Sequence, residues 1–123
     1  MKIRIEGNSI RLRLRQSEVT QLAEQGMVGE ATQLPEGLFR YQLKLQAGLE
    51  NLAAHFSPEG ISVCLPESWG RAWPEESRVG FEAIQTIEGG HTLHLLVEKD
   101  FVCLDRDLAG QQDQYPHPKS GKA

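Results

Sequence analysis

The sequence predicts an α+β fold, mostly β, in which duplicated ββαββ units form a pseudo-twofold barrel or sandwich with two short helices. Two observations predict this fold class. Apolar and polar residues alternate in eight short segments separated by turn residues, as they do in half-buried strands. The first half of the chain also matches the second half at an offset of 51 residues, which indicates an internal duplication.

The first unit contains two predicted hairpins. Residues 2–15 alternate on both sides of Gly7-Asn8, and residues 28–45 alternate on both sides of Pro35-Glu36-Gly37. A short glycine-containing turn between two alternating segments is typical of a β-hairpin.

The second unit repeats this order. Residues 54–65 alternate around Pro58-Glu59-Gly60, and residues 79–97 alternate around Gly89-Gly90. We therefore expect two further hairpins.

A short helix is predicted between the two hairpins of each unit. In the first unit, Ser17 can cap a helix that has an apolar face and ends at Gly26. In the second unit, residues 67–73 form a helix that Pro74 ends.

The duplication is clearest when residues 10–29 are aligned with residues 61–80 without a gap. Six of the twenty pairs are identical, whereas ordinary composition predicts about one or two. With one inserted residue, the alignment continues as Tyr41 on Leu93. A single unit leaves strand edges and an apolar face unpaired, so we expect each unit to complete the core of the other, in place of a homodimer. The identical pairs are Ile10/Ile61, Leu14/Leu65, Ser17/Ser68, Glu24/Glu75, Val28/Val79 and Gly29/Gly80.

The domain organisation follows from the duplication. We expect a single globular domain at residues 1–104, with repeat 1 at 1–46, repeat 2 at 52–98 and a closing strand at 99–104. Residues 105–123 contain few aliphatic side chains and are predicted to form a flexible C-terminal tail.

Composition and charge exclude several classes of protein. The chain lacks any apolar stretch near the roughly 18 residues of a membrane span, and residues 1–6 alternate where a secretion signal would be continuously apolar, so we expect a cytoplasmic protein without a membrane partner. Cys64 and Cys103 are too few and too far apart for a disulfide framework. Residues 1–48 carry a net charge of +2 and the remainder −6, which predicts an electrically two-sided molecule.

The second unit resembles the AbrB-like transition-state regulators and antitoxins. The resemblance depends on Gly60-Ile61-Ser62-Val63-Cys64-Leu65-Pro66, the short helix after it, and Val79-Gly80-Phe81-Glu82. In that family two ββαββ chains exchange hairpins to form one barrel, and basic residues of the first hairpin bind DNA. The resemblance implies this fold for residues 1–98. Family positions that contact DNA correspond to Arg4, Arg11, Arg13 and Arg15 in the first unit and to His55, Ser62, Cys64 and Pro66 in the second.

A second resemblance covers nearly the whole chain. The segment 7–14, the segment 98–104 and Tyr115-Pro116-His117-Pro118 are together similar to an uncharacterised family of small bacterial proteins. This resemblance implies no particular activity.

The first hairpin predicts a basic face. A two-residue turn places Arg4 opposite Arg11 and Lys2 opposite Arg13. Directly opposed cations are destabilising, so neighbouring carboxylates, an acidic partner or a phosphate-bearing ligand must offset them. The alternative is a solvated face neutralised by Glu6, Glu30 and the acidic second unit. The candidate residues for binding an anion or nucleic acid are Lys2, Arg4, Arg11, Arg13 and Arg15.

Two tryptophans lie four residues apart on the second helix. Trp73 aligns with Leu22 and is expected in the core. Trp69 aligns with Glu18, a position that the first unit leaves polar, so Trp69 is the candidate partner-binding residue. The alternative is that Trp69 belongs to an asymmetric core.

The sequence does not indicate a metal site. His91 and His94 would point to opposite faces of a strand, and these residues together with Cys103, Asp105 and His117 lack a recognised zinc spacing. The segment that begins at Asp105 starts like a calcium loop but lacks the glutamate that such a loop requires at its end.

The sequence also lacks the common catalytic and nucleotide-binding motifs. Glu98-Lys99-Asp100 could do acid–base chemistry only if it were buried. We therefore expect no cofactor and no catalytic residues.

These observations favour a non-enzymatic protein-binding or regulatory domain. Its partner would be another protein or a second copy of the chain, bound through the acidic second half, Trp69 or the tail. The alternative is a nucleic-acid or anion-binding protein that uses the basic first hairpin. A third reading is an enzyme that acts on a small anionic substrate in the mouth of the barrel.

Overall fold

The strands and helices follow the order ββαββ twice. The computed structural model describes residues 1–102 and 108–116. Short 3-10 helices lie at Trp73–Glu75 and at Leu108–Gln111. The first unit consists of β1 (Lys2–Glu6), β2 (Ser9–Leu14), α1 (Gln16–Gln25), β3 (Met27–Leu34) and β4 (Gly37–Gln46), and the second of β5 (Ala53–Ser57), β6 (Gly60–Pro66), α2 (Glu67–Ala72), β7 (Gly80–Ile87) and β8 (His91–Lys99).

The strands form two four-stranded sheets. Sheet A has the order β1-β2-β8-β7, and sheet B has the order β3-β4-β6-β5. Each sheet thus joins the first hairpin of one unit to the second hairpin of the other, through parallel contacts of β2 with β8 and of β4 with β6. If each strand is replaced by its counterpart in the other unit (β1 by β5, β2 by β6, β7 by β3 and β8 by β4), the order of sheet A becomes the order of sheet B read in reverse. The predicted α+β class, mostly β with two short helices, is confirmed, and the two sheets do not form a closed barrel.

The predicted offset of 51 residues holds for the first hairpin of each unit. Arg4 pairs with Arg11 in β1–β2, and the residues 51 positions later, His55 and Ser62, pair in β5–β6. The strand period and the turn length together set this register, and both can be deduced from the sequence.

The offset changes after the helices, so the predicted alignment of Tyr41 with Leu93 is wrong. Ile10 pairs with Leu95 in sheet A, and its counterpart Ile61 pairs with Tyr41 in sheet B. Tyr41 therefore corresponds to Leu95. The cause is the 3-10 helix that follows α2, because it inserts residues before β7 that the first unit lacks.

The core lies between the two sheets and beneath the helices. Because successive strand residues point to opposite faces, alternate residues of each central strand point into it. Trp73, expected in the core, is fully buried. The side chains with the least exposure are Trp73, Phe81, Leu12, Leu14, Leu22, Leu43, Leu65, Leu95, Val19, Val63 and Val97.

Helix α1 begins two residues earlier than predicted. Arg15 is the N-cap, and its backbone N–H donates to Glu18 Oε1 at 2.9 Å. The predicted cap, Ser17, is therefore wrong, and the Ser17 hydroxyl donates to Asp113 instead. Gly26, with φ of 82°, ends the helix as predicted.

The predicted tail lies partly outside the described residues, which exclude 103–107 and 117–123. Within the described part, the Tyr115 N–H donates to the Asp100 carbonyl at 2.8 Å, and the Gln16 N–H donates to the Asp113 carbonyl at 2.8 Å. Residues 113–115 therefore contact the end of β8 and the beginning of α1. Among the described residues, none of the helices has the length and apolar character needed to cross a membrane.

Candidate functional site

Four of the five predicted cationic residues lie on one face of sheet A. Arg4 pairs with Arg11 and Lys2 pairs with Arg13, as predicted, and all four side chains point away from the core. We call these four residues the arginine face. Arg4 is the most open, with 65% of its side chain exposed.

Carboxylates partly neutralise the arginine face. Glu98 Oε1 accepts from Arg11 Nε at 2.6 Å and from Arg13 Nε at 3.2 Å, and the Glu98 side chain is only 15% exposed. Lys2 Nζ lies 3.2 Å from Asp100 Oδ2. Because Arg11 and Arg13 share one carboxylate, this triplet keeps a net positive charge.

Arg15 lies apart from the arginine face, at the beginning of α1. Its side chain contacts Glu18 at 3.4 Å and Asp113 at 3.8 Å. The hydrogen bond and charge of Glu18 raise the pKa of Arg15. Burial works against ionisation of Glu18, but hydrogen bonds from the Met1 amino group and from Arg15 lower its pKa overall. Arg15 therefore stabilises the helix start.

The three residues of Glu98-Lys99-Asp100 do not converge on one site. Alternation along β8 places Glu98 and Lys99 on opposite faces of sheet A. The buried Lys99 ammonium donates to the Glu76 carbonyl at 2.6 Å and lies 4.9 Å from the centre of the Tyr115 ring. Burial lowers the pKa of Lys99. These contacts support a structural role, because they hold the residues after α2 and Tyr115 against the core.

Tyr115 should make the protein less stable at alkaline pH. Burial, together with the charge of Asp113, raises the pKa of Tyr115 from 10.0 to about 12. Between these two pH values the unfolded chain has lost the phenol proton of Tyr115 while the folded chain still holds it. The stability that Tyr115 contributes is therefore fully present below pH 10.0, and the free energy of unfolding decreases as the pH rises towards 12. We expect Tyr115→Phe to flatten the alkaline fall in stability, measured by urea unfolding across this pH range. An unchanged slope would contradict the assignment.

Trp69 is half-buried at the helix end of the molecule. Its ring stacks on Phe81 with centroids 5.4 Å apart, and the Arg78 guanidinium lies 5.7 Å from its centroid. Phe81 and Arg78 thus cover part of the Trp69 ring.

The histidines and cysteines do not converge in the described part of the chain. No group of three or more possible metal ligands occurs among the described residues, while Cys103, Asp105 and His117 lie outside them. His94 pairs with Glu82. Cys64 is buried as a free thiol, and burial raises its pKa.

Sequence reasoning missed an apolar cleft at the hairpin end of the molecule. The cleft has a volume of about 410 Å³ and lies between the edges of β5 and β7, where the two sheets separate. We call it the open cleft. Phe56, at its rim, is 84% exposed, whereas most large apolar side chains of the inner sheet faces are buried. The apolar residues that line the open cleft are Ile10, Ala54, Phe56, Ile61, Ile87 and Leu93.

Gln85 connects the two strands that border the open cleft. From β7, its side-chain oxygen accepts from the Ala54 N–H at 2.8 Å, and its Nε2 lies 3.5 Å from the Ala54 carbonyl oxygen. The amide of Gln85 thus occupies the place of a neighbouring strand beside one residue of β5. Beyond Ala54 towards the hairpin turn, the edge of β5 faces the open cleft.

Four glutamates surround this end of the molecule. Each hairpin turn contains or adjoins one, and the parallel pairing of β4 with β6 and of β2 with β8 places the turns of each sheet at the same end. Glu6 pairs with Arg4, whereas the other three have no ion pair among the described residues. The open cleft is therefore lined mainly by apolar side chains, and the turns next to it, after β5 and β7, contain unpaired glutamates among the described residues. The glutamates are Glu6, Glu36, Glu59 and Glu88.

The fold and these surfaces define a small α+β protein built from two ββαββ units with exchanged hairpins and an open apolar cleft. The chain belongs to a family of unknown function, DUF7009, whose model matches residues 1–119. No curated protein and no solved structure matches the chain.

Proposed function

We propose that the protein is a non-enzymatic protein-binding module whose binding site is the open cleft. The observation that carries this proposal is the exposure of Phe56 beside an apolar cleft of about 410 Å³. Exposed aromatic side chains next to apolar concave surfaces are typical of sites that bind another protein. We place the partner here rather than at Trp69, because the Trp69 ring already stacks on Phe81 and contacts Arg78.

The exchanged hairpins support a further part of the proposal. A single-chain counterpart of the AbrB-like swapped-hairpin fold would join the first hairpin of each unit to the second hairpin of the other, and both sheets have this connectivity. We propose that the chain is such a counterpart and works in the bacterial cytoplasm. The acidic turns after β5 and β7 differ from the basic hairpin that the resemblance associates with DNA.

Selection from a displayed library of random peptides tests the binding function. We expect the selected peptides to lose about tenfold or more of their affinity for the Phe56→Asp variant, because an exposed aromatic residue that a partner covers carries much of the contact energy. Ile84→Asp is the matched control, since Ile84 is 69% exposed but lies on the outer face of sheet A. A library without binders, or peptides that bind Phe56→Asp as well as wild type, would refute the proposal.

The arginine face favours a second candidate function, nucleic-acid binding. The specific observation is that Arg11 and Arg13 share a single carboxylate while the side chain of Arg4 is 65% exposed. If this face binds phosphates, duplex DNA should bind at low salt, weaken steeply as salt is added, and fail to bind after Arg11→Glu plus Arg13→Glu. Absence of a gel shift at any salt concentration would eliminate this function.

A further inference from the structure

We propose that the open cleft binds one extended peptide segment with a basic end, which adds to the free edge of β5 as a further strand. This inference rests on the proposed protein-binding function and specifies the partner. An extended peptide can satisfy a free strand edge with its backbone and fill an apolar cleft with alternate side chains.

The edge of β5 has backbone groups available for a further strand. β5 pairs with β6 on one side only, and on an edge strand alternate residues direct their N–H and C=O groups outwards. The contacts of Ala54 with Gln85 show that Ala54 is one of these outward residues. Phe56, two positions along the strand, has the same orientation, so its N–H and C=O face the gap between β5 and β7.

The side-chain amide of Gln85 lies where the backbone of an added strand would lie beside Ala54. This amide offers one acceptor and one donor to Ala54, which is what the backbone of an added strand would offer. Only the 2.8 Å contact has good hydrogen-bond length, so the amide is a weaker partner than a strand. A peptide that displaced it would gain the outward groups of both Ala54 and Phe56.

The side chains around the gap select the kind of peptide. Residues that pointed inwards from an added strand would meet Ile10, Ile61 and Leu93 in the cleft. Glu59 and Glu88, which have no ion pair among the described residues, belong to the turns that follow β5 and β7 at the same end of the molecule. They therefore favour lysine or arginine at the end of the segment that lies beside these turns. A second copy docked end to end would instead bring like charges together.

A synthetic peptide that alternates valine and threonine is a suitable probe. Two lysines at each end place one basic pair beside Glu59 and Glu88 whichever direction the added strand takes. We expect this peptide to bind wild type and to lose affinity for Phe56→Asp. It should bind Gln85→Ala about fivefold more tightly, because it no longer has to displace the Gln85 amide from Ala54. N-methylation of its central backbone amides should weaken binding by about tenfold or more, and replacement of its lysines by glutamates should do the same.

The outcomes separate this inference from the function on which it rests. Binding that depends on Phe56 but tolerates N-methylation, or that weakens in Gln85→Ala, would overturn strand addition and leave the cleft as a binding site. Equal binding of the lysine-ended and glutamate-ended probes would overturn the basic end of the segment. If library-selected peptides require Phe56 but the alternating probe does not bind, the extended-strand partner is wrong while the protein-binding function stands. If neither binds, both fail.

Discussion

Replacing Trp73 by alanine is expected to lower the free energy of unfolding by about 3–5 kcal/mol. Trp73 is fully buried, its ring meets Phe81 edge-on with centroids 5.0 Å apart, and its indole N–H donates to the Arg78 carbonyl at 2.9 Å. Alanine would leave a large cavity and an unpaired carbonyl where the 3-10 helix after α2 packs on Phe81 of sheet A.

Trp69→Ala is the matched control for this prediction. Trp69 is half-buried and stacks on the same Phe81 ring, so its removal should cost only about 1–2 kcal/mol. Urea unfolding of both variants, followed by circular dichroism, measures the difference. Equal losses for the two variants would mean that Trp73 does not anchor the core as described.

Gly60→Ala is expected to destabilise the protein by about 3 kcal/mol or more. Gly60 begins β6 with φ of +142°, and a Cβ atom there would lie 1.8 Å from the Arg40 carbonyl oxygen. The clash falls on the parallel pairing of β4 with β6, which joins the two units in sheet B. The carbonyl oxygen belongs to the backbone of β4, and the backbone of β6 fixes the position of the added Cβ. Neither can therefore move away without breaking the pairing of the two strands.

Gly37→Ala separates the clash from backbone strain. Gly37 has a similar φ of +150°, but no atom lies within 4 Å of the position that its Cβ would occupy. Gly37→Ala should therefore cost only the strain, about 1–3 kcal/mol, and clearly less than Gly60→Ala. If urea unfolding gave the two variants the same stability, the close approach of β4 and β6 would be wrong.

Local features of the fold could be predicted from the sequence. Alternation identified the strands, and the length of the first turn set Arg4 opposite Arg11, because a one-residue shift would move every side chain to the other face. Gly26 could be recognised as a helix end because only glycine adopts its φ of 82° at low cost.

Contacts distant in the sequence could not be predicted. Ser17 is a good N-cap by residue type. Instead, Glu18 accepts a hydrogen bond from the Arg15 N–H and Asp113 accepts one from the Ser17 N–H, and Asp113 lies 96 residues from Ser17 in the sequence. The duplicated pattern likewise did not reveal the 3-10 helix after α2 that displaces β7.

The candidate site was the least predictable part. The sequence placed Lys2, Arg4, Arg11 and Arg13 on one face but could not show that Glu98 lies between two of them. The open cleft depends on how far the two sheets separate, which no local pattern records. The available signal was that apolar alternation continues to Phe56, next to the hairpin turn.

Amide hydrogen exchange of Phe56, followed by NMR, shows whether the edge of β5 is free and accepts an added strand. In the free protein the Ala54 amide, which donates to Gln85, should exchange slowly, and the Phe56 amide should exchange fast because it faces the open cleft. Adding the lysine-ended peptide should slow exchange at Phe56 and leave unchanged the Gly26 amide, which donates to the Leu22 carbonyl at the far end of α1. A slowly exchanging Phe56 amide in the free protein, or one that the peptide does not protect, would contradict the account.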